Sequence, residues 1–327
     1  MMKPILPLLV PIALASSALA DDSWIVFEGK SGPGKGKHVV LVSGDEEYRT
    51  EESFPMLGKL LAEKHGFKCT VLFSVDEKSG EINPDEQTNI PGIEAIDSAD
   101  FLILGLRFRE LPDDKMKHIS DYVEAGKPLL GLRTSTHAFN YSRKKDSPYA
   151  SWSFNSNGGF GKNVLGETWI NHHGNHGKES TRGVIEEANK DHPLLTGVTN
   201  VWGPTDVYGV TKLPDDAKVL LRGSVLTGMK PEDGPVAGKK NDPMMPVAWV
   251  RDRKLDNGKT QKVICSTMGA ATDFVEPGLR RFVVNSAYWA CGLPVPEKLD
   301  VEVVGDYKPS NFGFKGYKKG VKPADMK

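Results

Sequence analysis

Four stretches of the chain are apolar at almost every position instead of alternating: His38–Ser43 (HVVLVS), Lys68–Ser74 (KCTVLFS), Asp100–Leu106 (DFLILGL) and Pro128–Leu132 (PLLGL). Continuous runs of this length read as strands buried on both faces of a sheet. Between them the apolar period lengthens to that of a helix. Glu51–His65 puts Phe54, Leu57, Leu60 and Leu61 on one face and stops at Gly66. Ile93–Ala99 predicts a short helix, and Asp113–Ala125 a longer one closed by Gly126. The alternation predicts an α/β fold: a mostly parallel sheet with helices on both faces. Strand signals resume at Thr181–Glu186, Ala217–Leu221, Met245–Val250 and Lys262–Ser266, and a last helix spans Gly278–Cys291. Phe139–Gly166, rich in Ser, Asn, Gly and aromatics, interrupts this rhythm. It reads as a long loop, of the kind that is either functional or disordered.

The ends divide off from this body. Residues 1–20 carry Lys3, an apolar run from Ile5 to Leu14, and Ala18-Leu19-Ala20 before Asp21-Asp22. That is the n-region, h-region and cleavage site of a secretory leader, with an apolar run far short of the roughly 20 residues a membrane span needs. The expectation is export, periplasmic or extracellular, after cleavage near Ala20. Residues 21–37 read as an edge segment and a Gly/Lys linker. Its Gly29-x-x-x-x-Gly34-Lys35 is not a phosphate loop, because Gly36 stands where Ser or Thr is needed and a strand follows instead of a helix. Residues 38–293 form the main domain, and 294–327 a Pro/Gly/Lys-rich tail whose lysines read as solvated.

Composition then excludes classes. The 42 Lys+Arg against 43 Asp+Glu leave no global pull toward nucleic acid or anionic lipid. Three cysteines in 327 residues are no disulfide scaffold. Cys69, Cys265 and Cys291 all sit among apolar residues, which suits small buried thiols; one disulfide with a spare thiol is the alternative.

Ligands of open parallel sheets bind beyond the carboxyl ends of the strands, and that rule ranks the chemistry. After the first buried strand come Asp45, Glu46 and Glu47; after the third, Arg107 and Arg109. The arginines suit an anionic or polyhydroxyl ligand, or else pair with the acids. After the fourth comes Arg133-Thr134-Ser135-Thr136-His137. Further on lie His172, His173 and His176, then Asp206 and Tyr208, then Asp273. The close histidines suit proton transfer or a divalent metal held by His172, His173 and His176. Asp206 reads as a carboxylate facing them or as turn chemistry, and Asp273 as a site residue or an N-cap. No HExxH or H-x-E…C-x-x-C pattern is present, and a divalent metal is the one cofactor these residues suit.

Gly126–His137 resembles the strand–elbow–helix of class I glutamine amidotransferases, with Arg133 where that superfamily carries its nucleophilic Cys. Guanidinium is no nucleophile, so amidotransferase chemistry is excluded. Val40–Gly44, Gly126–His137, Asp191–Gly197, Asp206–Tyr208, Pro246–Trp249 and Leu279–Gly292, in that order, resemble the ThuA-like (trehalose-utilisation) family in its exported, planctomycete-type form. The resemblance implies a flavodoxin-like, amidotransferase-like fold and a role in sugar metabolism. The chain departs from the family pattern at Arg133, where many members have His; at Asp206-Val207-Tyr208, which lacks a Glu; and at Met268–Ala271, which lacks a His.

Two functions follow as expectations. In the first, the chain is an exported enzyme acting on a disaccharide or keto-sugar by acid/base chemistry. His137, His173, His176 and Asp206 are then catalytic, and Asp45, Glu47, Arg107, Arg133 and Tyr208 bind substrate. In the second, it is a non-catalytic carbohydrate-binding or assembly protein. Either way the partner is a small carbohydrate, with no nucleic acid and no membrane after leader removal; an oligomer is compatible with both.

Overall fold

The computed structural model describes residues 23–327; the leader expected over residues 1–20 lies outside the described residues. The buried runs become strands β2 (His38–Gly44), β3 (Lys68–Phe73), β4 (Phe101–Leu106) and β5 (Leu129–Leu132). Alternate side chains of β2 enter opposite cores. Val39 and Leu41 join the face covered by α1 (Thr50–His65) and α3 (Pro277–Ala290). Val40 and Val42 join the face covered by the short 3-10 turn Ile93–Ser98 and α2 (Asp113–Glu124). Two buried faces explain why no polar position interrupts the run. Helices on both faces are therefore observed.

The expectation of a mostly parallel sheet is overturned. One ten-stranded sheet contains β1 (Trp24–Phe27), the four strands above, β6 (Thr181–Ile185), β7 (Trp202–Gly203), β8 (Ala217–Val225), β9 (Met245–Lys254) and β10 (Thr260–Ser266), in the order β1-β3-β2-β4-β5-β10-β9-β8-β6-β7. The ladders β2·β3, β2·β4, β4·β5 and β5·β10 are parallel; the other five are antiparallel. The reason is in the connections. Parallel neighbours need a crossover of a dozen residues or more, whereas β9 reaches β10 through Leu255–Lys259 alone, around Asn257-Gly258. Asn-Gly between two strand signals is a hairpin turn, and it outweighs the general βα rhythm.

Both terminal segments are packed. β1 pairs antiparallel with β3 at the sheet edge, and the glycines after it press on the end of α1, where Gly34 N–H donates to His65 O at 2.8 Å. A Cβ at Gly29 would lie 2.2 Å from the backbone of Gly66. Gly29→Ala is therefore expected to cost about 1–3 kcal/mol by overpacking. Gly234→Ala, with open space around its Cβ, should leave the thermal midpoint unchanged, and equal midpoints for the two variants would count against close packing there. In the tail, the lysines are exposed, but Val301, Val303, Tyr307, Val321 and Met326 pack on the core. Ile82 N–H donates to Val321 O at 2.8 Å and Gly313 N–H to Glu47 O at 2.8 Å.

The segment 139–166 is also ordered. The rings of Trp152 and Phe160 stack at 5.5 Å, and Phe139 meets Phe160 edge-on at 5.3 Å. These aromatics join the core on the α2 face of the sheet. All three cysteines are free, Cys69 and Cys265 buried and Cys291 partly so; burial pushes the Cys291 thiol up to about 12. Among the described residues no helix is long and apolar enough to cross a membrane.

Candidate functional site

The loops after β2, β4 and β5 meet at one edge of the sheet, and each bends through a non-glycine residue with left-handed backbone: Arg49 (φ 59°), Phe108 (φ 53°) and Arg133 (φ 43°). Such residues are uncommon and cluster where surrounding structure over-determines the chain.

Asp206 is the centre. Its side chain has no solvent exposure, and it accepts four hydrogen bonds through three oxygens. Oδ1 takes Arg133 Nη2 at 2.9 Å and His176 Nδ1 at 2.9 Å; Oδ2 takes His172 Nδ1 at 2.7 Å; the backbone O takes Arg133 Nη1 at 2.7 Å. Burial alone would raise its pKa, but Arg133 and the two imidazoles outweigh it and hold the carboxyl well below the usual carboxylate range. The histidine loop lies directly on this acid. His172 bridges antiparallel to Tyr208, the N–H groups of His173 and Gly174 donate to Val207 O, and a Cβ at Gly174 would stand 3.2 Å from Asp206 Cβ.

His172 and His176 are both about a third exposed, with ring centres 4.6 Å apart. His176 Nε2 faces Glu47 Oε1 at 3.4 Å. The hydrogen bond to Asp206 is the main reason the His176 pKa is raised. Glu47 is buried, which raises its pKa, and Asp45 adds to this. His137 is caged by Phe108 (5.1 Å), Trp169 (5.6 Å), Tyr208 (6.3 Å) and Phe154 (6.4 Å). Its Nδ1 meets Thr136 Oγ1 at 3.2 Å, and burial holds its pKa well below the ordinary histidine value, so the ring is neutral. At the rim, Arg107 pairs with Glu46 and lies between the rings of Phe108 (4.3 Å) and Phe314 (4.9 Å).

Several expected site residues have other work. His173 turns away, its Nε2 against Lys240 O at 2.8 Å, from a bend in which its N–H and that of Gly174 both donate to Val207 O. Arg133, expected to bind substrate, is engaged inside the protein. Its guanidinium is fully buried between Tyr208 (3.7 Å) and Tyr48 (4.6 Å) and donates to Asp206, Thr267 O and Tyr48 Oη; it is a positioning residue. Tyr208 is buried as one face of that sandwich, with its Oη 3.4 Å from Tyr48 Oη. Asp45 builds the turn after β2: Oδ1 accepts from Glu47 and Tyr48 N–H at 2.8 and 3.1 Å, and Oδ2 from Thr134 Oγ1. Ser135, in the same elbow, donates to Leu104 O at 2.8 Å. Arg109 is buried and bound to Glu46 and to carbonyls, which is the pairing alternative realised. Asp273 caps its own turn, accepting from Gly269 and Ala270 N–H and Thr205 Oγ1.

Tyr48, Phe154, Phe312 and Phe314 were invisible to motif reasoning. Phe312 comes from the tail and lies 5.4 Å from the His176 ring and 5.5 Å from that of Tyr48. Isolated aromatics in polar stretches were the one available signal. A separate open groove of about 830 Å³ borders the site through Thr168 and Ile170. Two of its charged groups are tied to the protein: Glu167 accepts from Thr211 and Lys212 N–H, and Arg251 pairs with Asp216.

An α/β protein with a histidine–carboxylate centre at the carboxyl edge of its sheet is the class so defined. The sequence matches no family model and no curated protein. Among solved structures the chain is similar to a ThuA-like protein from Parabacteroides merdae ATCC 43184, with 12% identity and a TM-score of 0.50 over 86% of this chain and 98% of that one. It is also similar to a ThuA-like protein from Bacteroides uniformis ATCC 8492, with 15% identity and a TM-score of 0.47 over 80% and 93%. The first likeness gives the chain a ThuA-like fold.

Proposed function

We propose that this chain is an exported enzyme of sugar metabolism that moves protons on a disaccharide or keto-sugar bound at the Asp206 centre. The observation that carries this reading is one buried carboxylate holding two imidazoles beside Glu47, within aromatic walls. Sugars offer apolar C–H faces to rings and hydroxyls to polar groups, and a cleft of rings with a few convergent polar atoms suits both. Glu47 gives and takes the proton. His172 and His176 grip the oxygen at which charge develops, Asp206 orients them, and His137 offers an uncharged nitrogen on the far wall. Arg107 meets a hydroxyl or carbonyl oxygen at the rim. Export is supported by the leader-like first twenty residues. The parallel half is read as flavodoxin-like, on its strand order of 2-1-3-4-5 among β2, β3, β4, β5 and β10 and on the left-handed elbow at Arg133.

The test is NMR-monitored incubation of the protein with trehalose and with 3-keto-glycosides. Product is expected, with His137→Ala and His176→Ala each slowing its formation by more than about 100-fold, and with His173→Ala at the wild-type rate. Turnover unchanged in both active-site variants would refute the enzyme. Saturable sugar binding with no product at any pH would favour the carbohydrate-binding alternative.

A further inference from the structure

The same three residues form a donor set for a metal. One ligand atom from each of His172, His176 and Asp206 falls within 4.8 Å of the others, and the Nδ1 atoms lie 2.7 and 2.9 Å from the carboxylate. Metal–nitrogen and metal–oxygen bonds of about 2.0–2.2 Å place two donors roughly 3 Å apart at a right angle and about 3.4 Å apart in a tetrahedron. The His172 Nδ1–Oδ2 separation of 2.7 Å is a few tenths of an ångström short of the right-angle value, and His176 Nδ1 reaches the other carboxylate oxygen, Oδ1, at 2.9 Å, so admitting an ion takes an adjustment of the histidine loop. A loop can spread this far, and both imidazoles already have solvent on their outer side.

The surroundings match the arrangement found behind metal ligands. A ligating histidine is usually held by a carboxylate on its other nitrogen, and His176 Nε2 faces Glu47. Asp206 is fixed from behind by Arg133, which donates to Oδ1 and to the backbone O, so that Oδ2 accepts from His172 alone. Two imidazoles with one carboxylate favour a first-row divalent transition ion over Mg²⁺ or Ca²⁺, which take oxygen cages.

We propose that His172 and His176 through Nδ1, and Asp206 through Oδ2, bind one divalent first-row transition ion with solvent completing its shell. Ligation through Nδ1 needs each ring neutral with its hydrogen on Nε2, so a singly protonated ring changes tautomer on binding and a doubly protonated one releases its Nδ1 proton to solvent. The proposal deepens the carbohydrate reading by naming what would polarise a sugar oxygen beside Glu47, but its test does not depend on turnover.

The full-length protein is stripped with chelator, titrated with Co²⁺ and followed by visible d–d absorption, with metal content measured after desalting. One Co²⁺ per chain is expected. His172→Ala and His176→Ala, checked for folding by circular dichroism, should each weaken binding by more than about 100-fold, and Glu47→Gln by about 10-fold; His173→Ala should bind as wild type. No Co²⁺ bound, or binding unchanged in both histidine variants, would overturn the site. Binding without sugar turnover would leave the metal site standing and count against the enzyme alone. Turnover at full rate in metal-free protein would remove the metal from the chemistry and overturn its proposed role there.

Discussion

Replacing Asp206 by Asn is expected to abolish turnover and to cost about 3–5 kcal/mol of stability, the usual penalty for stranding one partner of a buried ion pair. Arg133 is the stranded partner. Its guanidinium has no solvent exposure, and among the described residues Asp206 is the one carboxylate within hydrogen-bond distance of it. The amide would keep the shape and one acceptor oxygen, but its NH₂ would face a ring nitrogen that now donates. One of His172 and His176 must then change tautomer or leave. Urea unfolding reads the stability and the sugar assay reads the site. Combining Asp206→Asn with Arg133→Met should recover part of the lost stability, because the uncompensated charge goes with it, and should recover no turnover. Wild-type stability in the single variant, or additive losses in the pair, would show that the two side chains are not coupled.

Replacing Glu51 by Gln should stabilise the protein, and more so as the pH rises. Glu51 begins α1 with Glu52, and neither of its carboxylate oxygens finds a hydrogen-bond partner in another residue. Arg49 is 3.7 Å away, too far to donate well, so burial dominates and pushes the carboxyl up to about 8. The unfolded chain ionises near 4.3. Below that value both states hold the proton and nothing is lost. Between about 4.3 and 8 the unfolded state ionises while the folded state resists, and stability falls by up to about 1.4 kcal/mol per pH unit, about 5 kcal/mol as a ceiling. Above 8 both states are ionised and the slope ends. Gln has no proton to lose. Unfolding free energies at pH 5, 7 and 8.5 should therefore diverge between the two proteins, and parallel curves would sink the assignment.

How far the site was readable follows from residue type and direction. Asp206, His172, His176, Glu47 and Arg107 stand out because loop acids, imidazoles and arginine beyond buried strands have few structural uses. Asp45 and Arg133 stood out for the same reason, yet the fold spends both on the protein itself. Whether a carboxylate meets a backbone N–H two residues on, as Asp45 does, depends on loop dihedrals that no pattern encodes. His173 and His176 cannot be ranked by spacing, since which side chain faces Asp206 is set by the bridge of His172 to Tyr208.

The pattern of residues along the chain is enough for the four buried strands and the helices between them, and it ranks the carboxyl edge of the sheet first as a candidate site. These follow from local periodicity and from burial on both faces, which leave a mark at every position. Tertiary structure alone decided that half the sheet runs antiparallel, that Arg133 is a clamp, and that Phe312 and Phe314 of the tail wall the site. Each of these rests on contacts between residues far apart in the chain, such as Arg49 with Gly313. Such pairings are chosen by global packing and hydrogen-bond satisfaction, which no local pattern records.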